Sequence, residues 1–193
     1  MAKGSDSERE TCKELGRWWA GRTDVFWRTA GSGGRATMRA KRNKKTAYEY
    51  GDITFTDPIG KPLIDFLLLE NKSGYKNDIS IVDFIDSAKK EPTLLRWWRK
   101  SEQEKRLAGR YYSVIIFRRT RRRKCIFLPY DLFNELEAWC GEYKRDIVDL
   151  HYGADSWTIV KFDHFLEWVT PETIRAMLEE KDSKPKLKRR KKV

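Results

Sequence analysis

One apolar run near the middle of the chain constrains the fold most, because it turns charged at its end. The run is LIDFLLLENK, residues 63–72. A nearly continuous apolar run of this kind is typical of a strand covered on both faces. It follows an alternating, β-branched segment, DITFTD (52–57), and the turn-forming sequence DPIGKP (57–62). We therefore predict a β-hairpin whose turn lies near Gly60 and Lys61.

Helical and strand patterns alternate over the rest of the chain. Helices are predicted at 5–20, at 79–107 with a break near Pro92, at 130–142, and at 163–180 as one or two helices with Pro171 early in a helix. Further strands are predicted at 23–29, 111–117, 124–129 and 157–162. This order predicts an α/β fold with a central mixed sheet flanked by helices.

The length and the aromatic content favour a single domain with one attachment. The chain has 193 residues, and its 8 Trp, 8 Tyr and 9 Phe are sufficient for a hydrophobic core. We predict one domain over 1–180, with its core at about 5–130 and a C-terminal elaboration at about 130–180. Residues 181–193 are predicted to be a disordered basic tail.

The charge balance points to a polyanionic partner. Lys and Arg number 41 against 29 Asp and Glu, which gives a net charge of +12. The last thirteen residues hold eight of the bases and one acid, so the first 180 residues are also basic. A basic tail can simply keep a domain soluble, but a basic body as well favours nucleic acid.

Several other classes of protein are disfavoured. No stretch approaches the roughly 20 apolar residues of a membrane span, and the N-terminus has no apolar signal core, so we expect a soluble, intracellular protein without a membrane partner. Three scattered cysteines and two histidines, His151 and His164, argue against a zinc site or a disulfide framework. GSGG (31–34) lacks the GK[ST] of a P-loop, so no nucleotide cofactor is expected.

The predicted hairpin brings ionisable groups together at one end. Antiparallel partners have a constant sum of residue numbers, so a turn near Lys61 places Asp52 opposite Glu70. Glu70 and Lys72 are two residues apart and therefore share a face. Paired carboxylates attract a hard cation such as Mg²⁺, with Mn²⁺ as a substitute, and the backbone carbonyl of Asn71 is a further candidate ligand. The alternative is a salt bridge at the end of the hairpin.

The first predicted helix carries a carboxylate on its core-facing side. Four residues share that face: Glu8, Cys12, Leu15 and Trp19. A carboxylate there is costly unless it is paired or coordinated, so Glu8 is a candidate metal ligand. The alternative is that Glu8 belongs to a capping box with Ser5 at the start of the helix; Ser7 and Glu10 fit the same pattern two residues later.

These segments together resemble a known family. Asp52 followed by Glu70-Asn71-Lys72 resembles the D…ExK signature of the PD-(D/E)XK nuclease superfamily. The context resembles archaeal-type Holliday junction resolvases and related phage nucleases over about residues 5–90. It comprises SERETCKELGRWW (7–19), Arg28 before AGSGG (30–34), and LLLENKSG (67–74).

The resemblance implies a restriction-endonuclease-like fold and Mg²⁺-dependent cleavage of DNA. It implies that Glu8, Asp52 and Glu70 bind the metal and that Lys72 is the catalytic lysine. It further implies substrate or supporting contacts from Arg9, Arg28 and Ser32, a branched DNA substrate, and a homodimer. We expect the helix at 79–107 to be an interface element of that homodimer. About 17 residues separate the glycine loop from Asp52, which is longer than in the compact resolvases.

Two further substrate contacts are predicted from the residues themselves. The backbone amides of the glycine loop, at Ser32 and Gly33, are placed to approach a phosphate, although a flexible loop is the alternative. The segment after it is strongly basic and adjoins the predicted site; its cations are Arg35, Arg39, Lys41, Arg42, Lys44 and Lys45. The other basic segment, 118–124, is equally consistent with a DNA contact and with a charged turn.

The tryptophans and histidines are assigned structural roles. One member of each pair, Trp18-Trp19 and Trp97-Trp98, is predicted to be in the core, as are Trp139, Trp157 and Trp168. Both histidines are predicted to be structural or on the surface. Two alternatives to a junction resolvase remain: a phage-type recombination, packaging or restriction nuclease on linear or flapped DNA, and a non-catalytic DNA-binding module.

Overall fold

The computed structural model describes residues 3–29, 50–75, 79–86 and 91–184. The helices are α1 (Lys3–Ala20), α2 (Lys61–Phe66), α3 (Asp83–Asp86), α4 (Thr93–Ala108), α5 (Tyr130–Cys140), α6 (Phe162–Trp168) and α7 (Pro171–Ser183), with a 3₁₀ turn at Pro58–Gly60. The strands are β1 (Phe26–Arg28), β2 (Ile53–Phe55), β3 (Leu67–Tyr75), β4 (Tyr112–Arg119), β5 (Lys124–Pro129), β6 (Ile147–Tyr152) and β7 (Asp155–Lys161). None of the helices within these ranges combines the length and the apolarity that a membrane span requires.

The main sheet has five strands in the order β3-β4-β5-β7-β6. β3 and β4 are parallel, and the other neighbours are antiparallel. β1 and β2 form a separate antiparallel pair. The predicted α/β fold with a central mixed sheet and flanking helices is confirmed, and it is consistent with a restriction-endonuclease-like core. β6 and β7, from the predicted C-terminal elaboration, belong to the same sheet as β3–β5.

Helices cover both faces of this sheet. On one face α1, α2, α5, α6 and α7 pack in a large hydrophobic cluster that includes Leu67 and Leu69 of β3. On the other face α4 packs in a cluster that contains Ile115, Phe117 and Trp157. Leu68 is also fully buried, so the prediction that the apolar strand is covered on both sides is confirmed.

The predicted β-hairpin over 52–72 is wrong. The segment between β2 and β3 is helical, because the Asp57 side chain accepts a hydrogen bond from the Ile59 amide and starts a 3₁₀ turn that leads into α2. Pro58 and Pro62 fall in first turns of these helices, where a proline costs nothing. β2 pairs instead with β1, with Phe55 opposite Phe26.

Several boundaries differ from the prediction for identifiable reasons. α1 starts at Lys3, so neither Ser5 nor Ser7 is its N-cap. Only Asp83–Asp86 and α4 are helical in the region predicted as a helix over 79–107 and described by the structure. The predicted break near Pro92 is confirmed, because α4 starts directly after that proline. The strand predicted at 23–29 is confined to β1.

Three further expectations are corrected in the C-terminal half. Trp139 is 47% exposed, because the buried stripe of α5 runs through its neighbours Leu132, Leu136 and Cys140. β6 was not predicted, since only Leu150 of this edge strand is buried and no apolar periodicity marks it. Residues 181–183 of the predicted disordered tail are helical, because α7 continues to Ser183, and the tail from residue 185 lies outside the described residues.

The remaining tryptophan assignments are confirmed. Trp19, Trp98 and Trp157 are buried, and Trp168 packs against the larger cluster. His151 is exposed, as predicted for a surface histidine.

Candidate active site

The backbone before β2 fits tightly against β3. Gly51 has φ +77°, and a Cβ at this position would lie 2.9 Å from the carbonyl oxygen of Leu69. The amide of Asp52 donates to that same carbonyl at 2.9 Å, and the carbonyl of Asp52 accepts from the Thr29 amide at 2.9 Å. Only glycine combines this φ with so close an approach. The contact holds Asp52 between β1 and β3.

The structure brings Asp52, Glu70 and Lys72 together. Lys72 Nζ donates to Asp52 Oδ2 at 2.7 Å and also to Glu70 Oε2. The amide of Asn71 donates to the same Asp52 oxygen at 2.8 Å. Glu70 is 3% exposed and Asp52 is 7% exposed. Two buried carboxylates therefore share one ammonium group.

This arrangement perturbs the acid–base properties of both kinds of group. Burial, followed by the neighbouring Asp52 carboxylate, raises the pKa of Glu70 to about 7. Burial by itself would lower the pKa of Lys72, but the Glu70 and Asp52 carboxylates outweigh it and raise the pKa above its ordinary value. Lys72 is thus a firmly protonated cation, and Glu70 is a carboxylate that is costly to keep ionised.

Glu8 lies at the margin of this group. Its carboxylate is 3.8 Å from Nε of Arg28, and its side chain is 17% exposed. Burial and the Asp52 carboxylate raise the pKa of Glu8, while Arg28 and Lys72 lower it. The predicted helix face is present, since Cys12, Leu15 and Trp19 are buried and Glu8 is partly buried. Glu8 therefore faces the same negative region without a direct bond to Lys72.

Helix α1 also supports β3 through contacts that sequence reasoning missed. Thr11 Oγ1 donates to Asn71 Oδ1 at 3.0 Å, and Asn71 Nδ2 donates to Ser7 Oγ at 3.2 Å. Ser7 and Thr11 are four residues apart, a spacing that places them on one helix face. Nothing else in the sequence indicates their partner. The side chain of Asn71 is therefore committed to α1, on the face of β3 opposite Glu70.

A second support comes from α4. Glu104 Oε2 accepts from the Gly51 amide at 3.3 Å, and Lys100 lies 3.5 Å from the other oxygen of the same carboxylate. Glu104 is buried and contributes to the raised pKa of Glu70. No sequence signal marks Glu104, because its role depends on the packing of α4 against the segment before β2.

The donor set of the site fits a hard divalent cation. Asp52 and Glu70 offer two buried carboxylates, and oxygen donors of this kind suit Mg²⁺ or Mn²⁺. Burial and the neighbouring Asp52 carboxylate together outweigh the single ammonium of Lys72 and raise the pKa of Glu70. Among the residues that the structure describes, no group of three His, Cys, Asp or Glu side chains is placed to hold a metal ion.

The predicted substrate contacts are placed only in part. Arg9 lies on the exposed side of α1, 3.7 Å from Asp6, and Arg28 is beside Glu8. The other predicted contacts fall in 30–49, outside the described residues: Ser32, Gly33, Arg35, Arg39, Lys41, Arg42, Lys44 and Lys45.

A mixed sheet whose strand β3 carries a Glu-x-Lys pair, with an aspartate before β2 beside that pair, defines the PD-(D/E)XK nuclease class. Residues 1–176 match the model of the family described as "Phage putative PDDEXK endonuclease". The chain belongs to that family. Neither a comparison with curated proteins nor one with solved structures gave a match.

Proposed function

We propose that this protein is a Mg²⁺-dependent endonuclease that hydrolyses phosphodiester bonds of DNA. The observation that carries the proposal is the contact of one ammonium, Lys72 Nζ, with the carboxylates of both Asp52 and Glu70. Family membership supports nuclease chemistry. The dependence on Mg²⁺ rests on the carboxylate donor set.

The residues divide into cation-binding and substrate-facing groups. Asp52 and Glu70 would hold the cation, with Glu8 and the backbone carbonyl of Asn71 as further oxygen donors. When bound, such a cation lowers the pKa of a coordinated water and neutralises charge on a phosphate. The two carboxylates would exchange part of their interaction with Lys72 for the cation.

Lys72 is proposed as the catalytic lysine. In the metal-free site its raised pKa keeps Lys72 protonated, so it acts there as a hydrogen-bond donor and not as a general base. A protonated amine beside the cation site can orient the attacking water and stabilise negative charge that develops on a phosphate oxygen.

On substrate, we propose branched DNA cut by a homodimer, as the resemblance to junction resolvases implies. Symmetric cleavage of two strands requires two active sites related by a twofold axis. A second candidate is favoured by the family description, which names a phage endonuclease and no junction. In that case the substrate is linear or flapped DNA in phage recombination, packaging or restriction.

The test is a cleavage assay on labelled four-way junction, splayed, linear duplex and single-stranded DNA, each with Mg²⁺ or EDTA. Glu70→Gln removes a site carboxylate, and Glu135→Gln is the matched control, since Glu135 bonds Tyr112 and Lys181 instead of a residue of the site. We expect cleavage that EDTA and Glu70→Gln abolish and Glu135→Gln retains.

The pattern of products distinguishes the candidates. Paired symmetric nicks restricted to the junction support the resolvase, and metal-dependent cutting of the other substrates supports the phage-type nuclease. Binding without cleavage of any substrate, unchanged by Glu70→Gln, would overturn the catalytic proposal and leave a DNA-binding module.

A further inference from the structure

The turn between β4 and β5 adjoins the candidate active site. β4 runs parallel to β3, with Phe117 opposite Lys72 and Arg118 opposite Ser73. The chain then turns at 120–123 and returns as β5. Thr120 Oγ1 donates to the carbonyl of Gly74 at 3.4 Å, which ties the turn to the end of β3. The turn therefore extends the strand pair that carries the site.

Strand alternation places one arginine of this turn on the same face as the site. Ile115 and Phe117 pack against α4, and they lie opposite Glu70 and Lys72 in the parallel register. Arg119 is the next residue of β4 on this face. A step of two residues advances about 7 Å along a strand, so Arg119 lies one such step beyond the residue that pairs with Lys72.

Three arginines at the end of β4 and in the turn are exposed and pair with none of the acidic residues that the structure describes. Arg118 pairs with Glu10 at 3.2 Å and Arg123 with Asp163 at 3.4 Å. Within the described ranges no ion pair engages the others, which are Arg119, Arg121 and Arg122. All three are exposed. Three positive charges within four residues therefore lie beside a site that contains two carboxylates.

The turn holds Arg121 in a backbone conformation that is unfavourable for residues other than glycine. Arg121 has φ +59° and is the one residue other than glycine with a positive φ in the described part of the chain. The Arg122 amide donates to the carbonyl of Arg119 at 3.0 Å, which closes a β-turn with Arg121 at its third position. Glycine or asparagine suits that position best. Strained backbone conformations cluster at functional sites, and the strain at Arg121 lies next to the candidate active site.

We infer that Arg119, Arg121 and Arg122 form a phosphate-binding surface that holds the backbone of duplex DNA against the active site. The inference rests on the proposed function, because it assumes a DNA substrate over Glu70 and Lys72. Guanidinium groups bind phosphate oxygens in a bidentate manner, and such contacts position a duplex without reading its sequence. The surface supplies affinity and register, and the chemistry remains with Lys72 and the carboxylates.

The test measures binding of a fluorescent DNA duplex by anisotropy in EDTA, over a series of KCl concentrations. The variant Arg119→Ala/Arg121→Gly/Arg122→Ala removes the surface. The control Arg99→Ala/Arg106→Ala/Lys184→Ala removes the same charge at the opposite end of the sheet, where Arg99 and Arg106 line a cavity with Tyr112, the first residue of β4. We expect weaker binding for the first variant only.

The salt dependence gives the sharper readout. The slope of log K against log [salt] is negative, and each lost phosphate contact makes it less steep by about 0.9. The surface variant loses three such contacts, so its slope should be less steep by about 2.7. Arg121→Gly by itself should raise the melting temperature and still weaken binding, which separates this effect from misfolding. Equal losses of DNA affinity in the two triple variants, or an unchanged salt slope in the surface variant, would refute the proposed phosphate-binding surface.

The outcome is distinguishable from the fate of the endonuclease. Selective loss of binding in a protein that cleaves nothing would support the surface and refute the nuclease. If the surface variant still cleaves DNA in a metal-dependent manner and binds DNA with unchanged affinity, the nuclease is supported and the phosphate-binding surface is refuted.

Discussion

The ammonium of Lys72 lies 2.7 Å from Oδ2 of Asp52, although twenty residues, a 3₁₀ turn and a helix separate them along the chain. The same Asp52 oxygen accepts the Asn71 amide at 2.8 Å, so the backbone of β3 and a side chain of β3 converge on one carboxylate. This relationship defines the site, because it places two acids and one base in a single buried group.

Removal of the lysine should be costly to stability as well as to cleavage. Lys72→Ala leaves two buried carboxylates without the ammonium group that they share. Breaking a buried ion pair in this way costs about 3–5 kcal/mol of unfolding free energy. We expect a loss of about 3 kcal/mol here, because Glu70 can take up a proton. Urea unfolding in EDTA measures the loss. We expect Mg²⁺ to recover part of it if the carboxylates bind the cation, and Lys181→Ala serves as the control. Unchanged unfolding would contradict the shared-ammonium geometry.

Stability in metal-free buffer should decrease as the pH rises from 5 to 8. The unfolded chain releases the Glu70 proton near its ordinary pKa of 4.5, whereas the folded protein retains it until about 7. A raised pKa in the folded state means that ionisation favours unfolding over this interval. The melting temperature of the wild type should fall as the pH rises from 5 to about 7, whereas that of Glu70→Gln should change less because it lacks the titrating carboxyl group. Toward pH 8 the two melting temperatures should change with pH in parallel. A wild-type profile parallel to that of Glu70→Gln would refute the assignment.

The close contact at Gly51 should be detectable by comparison with another glycine. Gly51 and Gly153 have φ +77° and +65°, but only at Gly51 would a Cβ meet a backbone atom within 3 Å. Gly153→Ala should therefore cost about 1 kcal/mol from backbone strain, and Gly51→Ala should cost about 2–3 kcal/mol more as Asp52 moves from β3. Chemical denaturation measures both. Equal losses of unfolding free energy in the two variants would show that the backbone at Leu69 shifts to accommodate the added Cβ without further cost.

The support that α1 gives to β3 should contribute measurably. Thr11→Val preserves shape but leaves Asn71 Oδ1 without its donor in a buried position, which costs about 1–3 kcal/mol. Thr23→Val, at an exposed position, is the control. We expect Thr11→Val also to weaken Mg²⁺-dependent cleavage, because the backbone between Glu70 and Lys72 loses its anchor. A cleavage rate equal to that of the control would limit Thr11 to a role in stability.

Local pattern accounts for much of the fold. The apolar periodicity of α1 predicted that Cys12 and Trp19 are buried, and both are. The strands near 111–117 and 124–129 follow from β-branched and aromatic runs between charged turns. These predictions succeed because the spacing of apolar residues within one segment shows which face of that helix or strand is buried.

The site shows where local pattern is insufficient. Glu70 and Lys72 share a face by strand alternation, and this alone was readable from their spacing. The adjacency of Asp52 was predicted through a hairpin that does not exist. In the structure it depends on Gly51 and on hydrogen bonds to Leu69 and Asn71.

The sequence by itself therefore determined the class of fold, the basic character of the chain and the spacing of the Glu-x-Lys pair. Tertiary structure decided which elements meet: Asp52 with β3, Thr11 with Asn71 across sixty residues, and Glu104 with Gly51. Such contacts join segments distant in sequence, and they form only when many packed elements together compensate for the entropy of closing long loops. No single segment of the chain carries a signal for them.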